Sequence, residues 1–111
     1  LAMRGDGRGA VERYEQALRL KPNLFGAQFN LAGVWLELGE RERAVGALRA
    51  AIRLKPDAAL AYRQLGQVLL SQGRAAEAVA TYEAGLRYLP NDPELRAELT
   101  AAVAQRDARP R

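Results

Sequence analysis

The chain has 111 residues, and 17 basic against 13 acidic side chains give it a net charge of +4. It has no cysteine and no histidine, which excludes disulfides and thiolate metal sites and removes the commonest general base and metal ligand. This length suits one small folding unit, and no apolar run approaches the roughly 18 residues that a membrane-spanning helix needs.

Apolar residues recur at helical spacing along most of the chain and predict six helices. These helices cover residues 9–20, 24–38, 40–54, 58–72, 74–88 and 93–106, and residues 1–9 hold the end of an earlier helix and a turn. Gly73 is suited to a left-handed helix stop between two of them. Asp57 is predicted to cap the fourth helix, and Asp92 the sixth, with Pro93 in the first helical position.

Two copies of one 34-residue unit make up residues 25–58 and 59–92. Matching pairs at this offset are Leu31 and Leu65, Gly39 and Gly73, Ala44 and Ala78, Leu48 and Tyr82, Ala51 and Gly85, Ile52 and Leu86, and Pro56 and Pro90. A half copy precedes them, with Gly5, Ala10, Tyr14, Ala17, Leu18 and Pro22 in register. Such periodicity is typical of stacked helical repeats.

The pattern resembles the tetratricopeptide repeat, a helical hairpin with an aromatic–Leu–Gly–aromatic signature in its first helix and Ala–aromatic–Ala–Pro in its second. The second complete copy carries Tyr62, Leu65, Gly66, Leu69, Ala78, Tyr82, Gly85 and Pro90 in these positions, and the first carries Gln28, Leu31, Ala32, Trp35, Ala44, Leu48, Ala51 and Pro56. Gln28 and Gly85 depart from the pattern, and we expect looser packing at both. Trp35 and the tyrosines Tyr14, Tyr62 and Tyr82 occupy signature positions and are expected to pack in the interior.

The resemblance implies an all-α fold, a right-handed superhelix of hairpins with a C-terminal capping helix. We predict a single domain made of a partial repeat (1–24), two repeats (25–58 and 59–92), a capping helix (93–107) and a tail (108–111). In the sixth helix, Arg96 and Thr100 replace Tyr62 and Gly66, so this face is expected to meet water as a repeat cap does. The apolar stripe that covers the fifth helix is Leu95, Leu99, Ala102 and Val103.

No catalytic residue, metal site or cofactor is predicted. The only hydroxyl groups besides tyrosine are Ser71, Thr81 and Thr100, and no histidine can activate them. Arg19, Arg53 and Arg87 recur at one position of successive repeats, and this basic ladder could meet an acidic partner or nucleic acid. We favour ordinary i,i+4 pairing with Glu15 and Glu83, and no nucleic-acid partner, because aromatic residues are not interleaved with the arginines.

The expected function is that of a scaffold or adaptor that binds a protein or peptide segment in its concave groove. The resemblance places the groove on the first helix of each hairpin, at Phe29, Asn30, Gly33, Leu36 and Glu37, and at Leu60, Arg63, Gln64, Gln67 and Leu70. Apolar anchors mixed with amide donors suit peptide recognition. Phe29 is either such an anchor or ordinary packing. Leu60 and Gln64 stand where a chaperone-binding clamp would carry Lys and Arg, which argues against that clamp.

Two alternatives remain open: homotypic assembly, and a non-catalytic appendage of a larger enzyme. We expect the array of repeats to end naturally at the sixth helix. We expect the N-terminus of this chain to lie within a longer array. The half copy would then expose apolar side chains that could self-associate, namely Ala10, Tyr14, Ala17 and Leu18. Arginine-rich, alanine-rich composition suggests a bacterial source, and a cytoplasmic location is expected, with a periplasmic one left open.

Overall fold

The computed structural model describes residues 4–108, and side chains from residue 7 to residue 108. Within that part of the chain there are helices and turns and no strand. The six helices are α1 (Arg4–Leu20), α2 (Phe25–Glu37), α3 (Arg41–Leu54), α4 (Ala59–Ser71), α5 (Ala75–Tyr88) and α6 (Pro93–Asp107). No helix among the described residues has the length and apolar character needed to cross a bilayer.

The chain divides after Lys55 into two compact units. Unit 1 contains α1, α2 and α3, and α2 packs against both of its neighbours. Unit 2 contains α4, α5 and α6, with α5 packed against the other two and a smaller contact between α4 and α6. Each unit therefore buries the apolar stripe of its middle helix on two sides.

Glycine ends the first helix of each complete repeat, as the sequence predicts. Gly39 and Gly73 have φ angles of 79° and 75°, a left-handed conformation that costs glycine no Cβ clash. At the end of α2, Gly39 N donates to Leu36 O at 3.0 Å and Glu40 N donates to Trp35 O at 2.8 Å. The same paired bonds close α4 at Gly73. They satisfy carbonyls that a helix end otherwise leaves free, and they turn the chain into the second helix.

Helix starts follow the sequence less closely. Asp92 precedes α6 and its carboxylate accepts a hydrogen bond from Leu95 N at 2.9 Å, with Pro93 in the first turn, as predicted. The cap predicted at Asp57 is wrong, because the N-cap position of α4 is Ala58, which makes no side-chain cap hydrogen bond. Asp57 lies one residue too early to reach the free N–H groups.

The start of α1 also differs from the prediction. A turn was expected within residues 1–9, yet α1 is helical from Arg4 onward, and residues 1–3 lie outside the described part of the chain. Gly7 provides the physical reason. A Cβ added at Gly7 would lie 3.0 Å from Leu38 Cδ2, so the bare glycine lets the early turns of α1 pack against the buried end of α2.

Tyr82 occupies the centre of unit 2 and is fully buried. Its ring lies so close to the α4 backbone that any Cβ at Gly66 would overlap it. On the other side, a Cβ at Gly85 would lie 2.9 Å from Tyr62 Cγ and 3.2 Å from Leu95 Cδ1. The looser packing expected at Gly85 is therefore wrong, since this glycine is what allows α5 to approach its neighbours.

The two residues of α6 that were predicted to meet water do so. Leu95 and Ala102 are fully buried against the rest of unit 2, whereas Arg96 and Thr100 are exposed. Arg96 Nε donates to the carbonyl of Pro90 at 2.9 Å. One repeat earlier, Tyr62 Oη donates to the carbonyl of Pro56 at 2.7 Å. The α6 helix thus keeps the hydrogen bond of the repeat through Arg96, whose side chain is exposed.

Candidate functional site

The predicted groove residues of unit 1 lie on α2, whose only charged side chain is Glu37. Phe29 is half-buried and stacks on Phe25, with ring centroids 5.7 Å apart and an interplanar angle of 17°. Asn30 and Glu37 are exposed, and Leu36 is half-buried. A Cβ placed on Gly33 would meet nothing within 4 Å. The α2 face therefore combines an aromatic pair, an exposed amide and a bare backbone strip.

Phe25 was not among the predicted site residues, although its spacing of four from Phe29 puts both on one helix face. Lys55 Nζ lies 5.7 Å from the centre of the Phe25 ring, within cation–π range. The end of α3 therefore covers one side of the aromatic pair. The i,i+4 spacing was the sequence signal that could have identified Phe25.

In unit 2, Arg63 and Gln67 are engaged by the neighbouring helix α6. Arg63 Nε donates to Glu98 Oε2 at 2.7 Å, and Arg63 also lies 3.6 Å from Glu94. Gln67 Nε2 is 3.4 Å from the other oxygen of Glu98. Hydrogen bonding to Glu98 raises the pKa of Arg63, so its guanidinium remains charged. A ligand carboxylate at Arg63 must therefore compete with Glu98.

The other predicted residues of unit 2 differ widely in accessibility. Leu60 is 52% exposed, whereas Gln64 and Leu70 are half-buried. The Oε1 atom of Gln64 is buried and has no hydrogen-bond donor among the described residues. Leu60 is therefore the apolar side chain of α4 that a partner could reach most easily.

Tyr82 is buried in unit 2, and Glu98 is one of the charged groups near its hydroxyl. Burial raises the pKa of Tyr82, and the Glu98 carboxylate raises it further. The Tyr82 hydroxyl oxygen is buried without a hydrogen bond of good geometry. Burial also raises the pKa of Tyr62. Both phenols stay neutral and structural, in agreement with the interior role predicted for them.

The residues predicted to self-associate, Ala10, Tyr14, Ala17 and Leu18, are all half-buried on α1. Leu18 lines a cleft of about 450 Å³ within unit 1, together with Glu15, Arg19, Gln28 and Leu31. The cleft is wide open to solvent, so the looser packing expected at Gln28 stays a prediction. The apolar area open at this face is smaller than full exposure of four side chains would give, and self-association stays a prediction.

A second cleft of unit 1, of about 320 Å³, opens beside the buried ring of Trp35. Arg43 lies over that ring at 5.0 Å and is 3.8 Å from Glu40. The walls carry both signs of charge, from Arg8, Glu12, Glu15, Glu40 and Arg43. Because acidic and basic side chains both line this small cleft, it favours neither an anionic nor a cationic ligand. Among the described residues, no cluster of three potential ligands could hold a metal ion.

The three ladder arginines, Arg19, Arg53 and Arg87, are all exposed. Each lies in the last turn of its helix, where a cation interacts favourably with the helix dipole. Their recurrence therefore has a local explanation within each helix.

Family models described as tetratricopeptide repeat match residues 36–93 and residues 1–61. A solved structure of the first tetratricopeptide domain of Spaghetti (RPAP3), bound to the HSP90 peptide SRMEEVD, is 22% identical, with a TM-score of 0.76 over 94% of this chain and 85% of that one. No curated protein matches the chain.

Two further structures are similar. The tetratricopeptide protein TTC0263 of Thermus thermophilus is 30% identical, with a TM-score of 0.73 over 93% of this chain. MamA RS-1, in an ArsTM double mutant, is 23% identical, with a TM-score of 0.75 over the same share. The chain spans only 55% and 58% of the lengths of these two proteins. The described helices and these likenesses give the chain an all-α helical-repeat fold, and the chain belongs to the tetratricopeptide repeat family.

Proposed function

We propose that this chain is a non-catalytic interaction module that binds an extended or helical segment of a partner protein on the inner helices of its repeats, with α2 as the main contact. The family to which it belongs typically mediates protein–protein interaction. The observation that carries the proposal is the α2 face, where Phe25 and Phe29 stack beside the open backbone of Gly33.

The chemistry of this face suits a peptide. A backbone can approach Gly33 closely because no side chain stands there, and Asn30 offers both a donor and an acceptor to peptide groups. The half-exposed Phe29 ring supplies an apolar anchor whose stacking partner holds it in place. Interfaces are commonly organised around such a rigid aromatic residue.

Unit 2 has a polar surface of its own on α4. Arg63 and Gln67 are preoriented by Glu98, so a partner carboxylate that bound Arg63 would replace a carboxylate already present. Such an exchange gives selectivity for acidic groups and little net affinity, because one ion pair is broken for each one formed. We therefore assign most of the binding free energy to α2.

The HSP90 peptide belongs to the Spaghetti structure, and a clamp for a terminal carboxylate does not form part of this proposal. Leu60 and Gln64 occupy positions where such a clamp would need cations. We propose an internal partner segment with an apolar residue for the Phe29 side and peptide groups for Asn30.

The test begins with peptides selected from a random twelve-residue phage library. Their binding is measured by fluorescence anisotropy, and the site is mapped by ¹H–¹⁵N chemical shifts. Phe29→Ala and Asn30→Ala should each weaken binding about tenfold, since central interface side chains commonly contribute more than 1 kcal/mol. The largest shift changes should centre on Asn30 and Gly33.

Arg53→Ala and Arg87→Ala serve as matched controls, because both residues are exposed and lie outside the α2 face. They should leave peptide affinity unchanged. If the controls abolish binding while Phe29→Ala and Asn30→Ala do nothing, the partner binds the arginine ladder and the proposal is wrong. Circular dichroism shows whether each variant is folded.

A further inference from the structure

A repeated tetrapeptide ends both α1 and α3. Residues 19–22 and 53–56 each read Arg-Leu-Lys-Pro, whereas the third repeat reads Arg-Tyr-Leu-Pro at 87–90. The only two lysines of the chain, Lys21 and Lys55, are in these tetrapeptides. Because α2 connects α1 to α3 and reverses the chain direction once on each side, the two helix ends lie at the same end of unit 1. We call this surface the basic end; it comprises Arg19, Leu20, Lys21, Leu24, Arg53, Leu54 and Lys55.

Charge is distributed unevenly along the chain. Residues 1–55 contain ten basic and six acidic side chains and so hold the whole net charge of +4, while residues 56–111 contain seven of each. Within unit 1, residues 16–36 and 43–55 contain no carboxylate side chain. The four cations of the basic end thus lie in stretches without a carboxylate, and the nearest acidic residues in sequence are Glu15, one turn before Arg19, and Asp57, two residues after Lys55.

Exposed apolar side chains lie among these cations. Leu20 is 85% exposed, and Leu24 and Leu54 are each 37% exposed. All residues from 19 to 24 and from 53 to 55 are exposed. Lys55 Nζ lies over the Phe25 ring at 5.7 Å, which joins the end of α3 to the start of α2. The basic end thus presents exposed leucines next in sequence to exposed cations.

The helix dipole explains only part of this arrangement. A cation in the last turn stabilises a helix through the partial negative charge there, which explains Arg19 and Arg53. It does not explain leucines that point into water beside them. The exposed leucines, and Leu20 above all, give the basic end apolar surface that a partner with an apolar phase could bury.

We propose that the basic end of unit 1 docks on an anionic membrane surface. Arg19, Lys21, Arg53 and Lys55 would contact lipid phosphates and carboxylates, and the leucines would enter the boundary between headgroups and acyl chains. Surface cations gain free energy near anionic lipid, and shallow apolar insertion adds to it. The basic end adjoins the α2 face of the proposed function at Phe25, over which Lys55 lies, and it does not include Phe29, Asn30 or Gly33.

Shape favours lipid over an acidic protein segment. Leu20 protrudes from a helix end, so a protein partner would have to supply a matching recess for it. A lipid surface deforms around a protruding side chain and needs no such recess. The cations also come from two equivalent helix ends, which can both reach one plane.

The test is sedimentation with vesicles of phosphatidylcholine alone, or with about one part phosphatidylserine to three of phosphatidylcholine. The chain should bind the anionic vesicles, bind the neutral ones weakly, and lose binding as salt rises. Replacing Lys21 and Lys55 together by Gln should lower partitioning about 25-fold, at roughly fivefold for each cation. Leu20→Ser with Leu54→Ser should lower it several-fold at unchanged net charge.

Arg87→Gln with Arg106→Gln is the matched control, because it removes the same charge from unit 2. It should change partitioning less than twofold. An equal loss in this control would mean attraction by net charge alone, and equal binding to neutral vesicles would mean that anionic lipid is not recognised. Binding to polyglutamate without binding to vesicles would assign the basic end to an acidic protein segment. Any of these results overturns the proposal, and Phe29→Ala should leave vesicle binding unchanged.

Discussion

Gly66→Ala tests the packing at the centre of unit 2. The new methyl group would overlap the fully buried ring of Tyr82, and overpacking of this kind costs about 1–3 kcal/mol. Alanine gains about 1 kcal/mol over glycine in a helix. Because several ring atoms are involved, we take the upper end of the cost and expect a net loss of about 2 kcal/mol in the free energy of unfolding.

Gly46→Ala is the control in α3, where an added Cβ meets nothing within 4 Å. It should stabilise the protein by about 0.5–1 kcal/mol, since it removes only the entropic cost of glycine. Urea denaturation followed by circular dichroism measures both variants. A Gly66→Ala protein that is as stable as Gly46→Ala would refute the reasoning.

The first repeat supplies a second test, because Ala32 and Leu48 occupy the positions of Gly66 and Tyr82. Tyr82→Leu alone should cost about 2 kcal/mol or more through the cavity it leaves. Combined with Gly66→Ala, it recreates the pair of the first repeat and relieves the overlap. The double variant should therefore be about 1–2 kcal/mol more stable than the sum of the single changes predicts.

Three further predictions concern the helix cap, the buried phenol and self-association. Asp92→Ala removes the cap of α6 and should cost about 1 kcal/mol in urea denaturation; an unchanged midpoint would contradict it. Burial raises the pKa of Tyr82 in the folded protein above the value of about 10 that tyrosine has in the unfolded chain. The contribution of Tyr82 to the free energy of unfolding is therefore complete below a pH of about 10 and declines as the pH rises above that value. Tyr82→Phe should therefore reduce the loss of stability between neutral pH and pH of about 11, and equal losses in both proteins would contradict this. Self-association through α1 should be abolished by Leu18→Glu, whereas sedimentation of the unchanged chain as a monomer at high concentration would end that hypothesis.

The helices were predictable because their signals are local. Apolar spacing sets the length of each helix, Gly39 and Gly73 mark two helix ends through their left-handed conformation, and Asp92 with Pro93 marks a start. The 34-residue offset then supplied the hairpin order. At these positions the local signals for helix formation and helix ends agree with the register of the repeat. A fold can be predicted from sequence where such signals agree.

One error was a local shift of register, and the others arose where tertiary contacts decide the packing. Asp57 has the chemistry of a cap but stands one position early. Gly85 resembles a packing defect in sequence, yet Tyr62 fills the space beside it. The early turns of α1 approach Leu38 at Gly7, 31 residues away in sequence, and such a contact leaves no local pattern.

The candidate site was only partly accessible to sequence. Phe29 follows from helix register, whereas the engagement of Arg63 by Glu98 spans 35 residues and depends on how α6 packs against α4. No spacing rule links those two side chains. Unit 2 therefore offers a partner a preformed ion pair where the sequence suggested a free cation.

The bond from Arg96 to the Pro90 carbonyl has a consequence for recognising where such arrays extend. A backbone carbonyl accepts a hydrogen bond from any donor that reaches it. Arg96 and Tyr62 therefore make the same connection between a helix and the proline before it, although their side chains are chemically unrelated. The family model matches the chain only as far as residue 93, where α6 begins. Yet α6 makes the same hydrogen bond to a proline carbonyl that α4 makes. A sequence pattern records which side chain stands at a position, but it does not record the proline carbonyl that the side chain reaches. Looking for any donor directed at the closing proline carbonyl would identify repeat helices such as α6, whose side chains differ from those of the complete repeats.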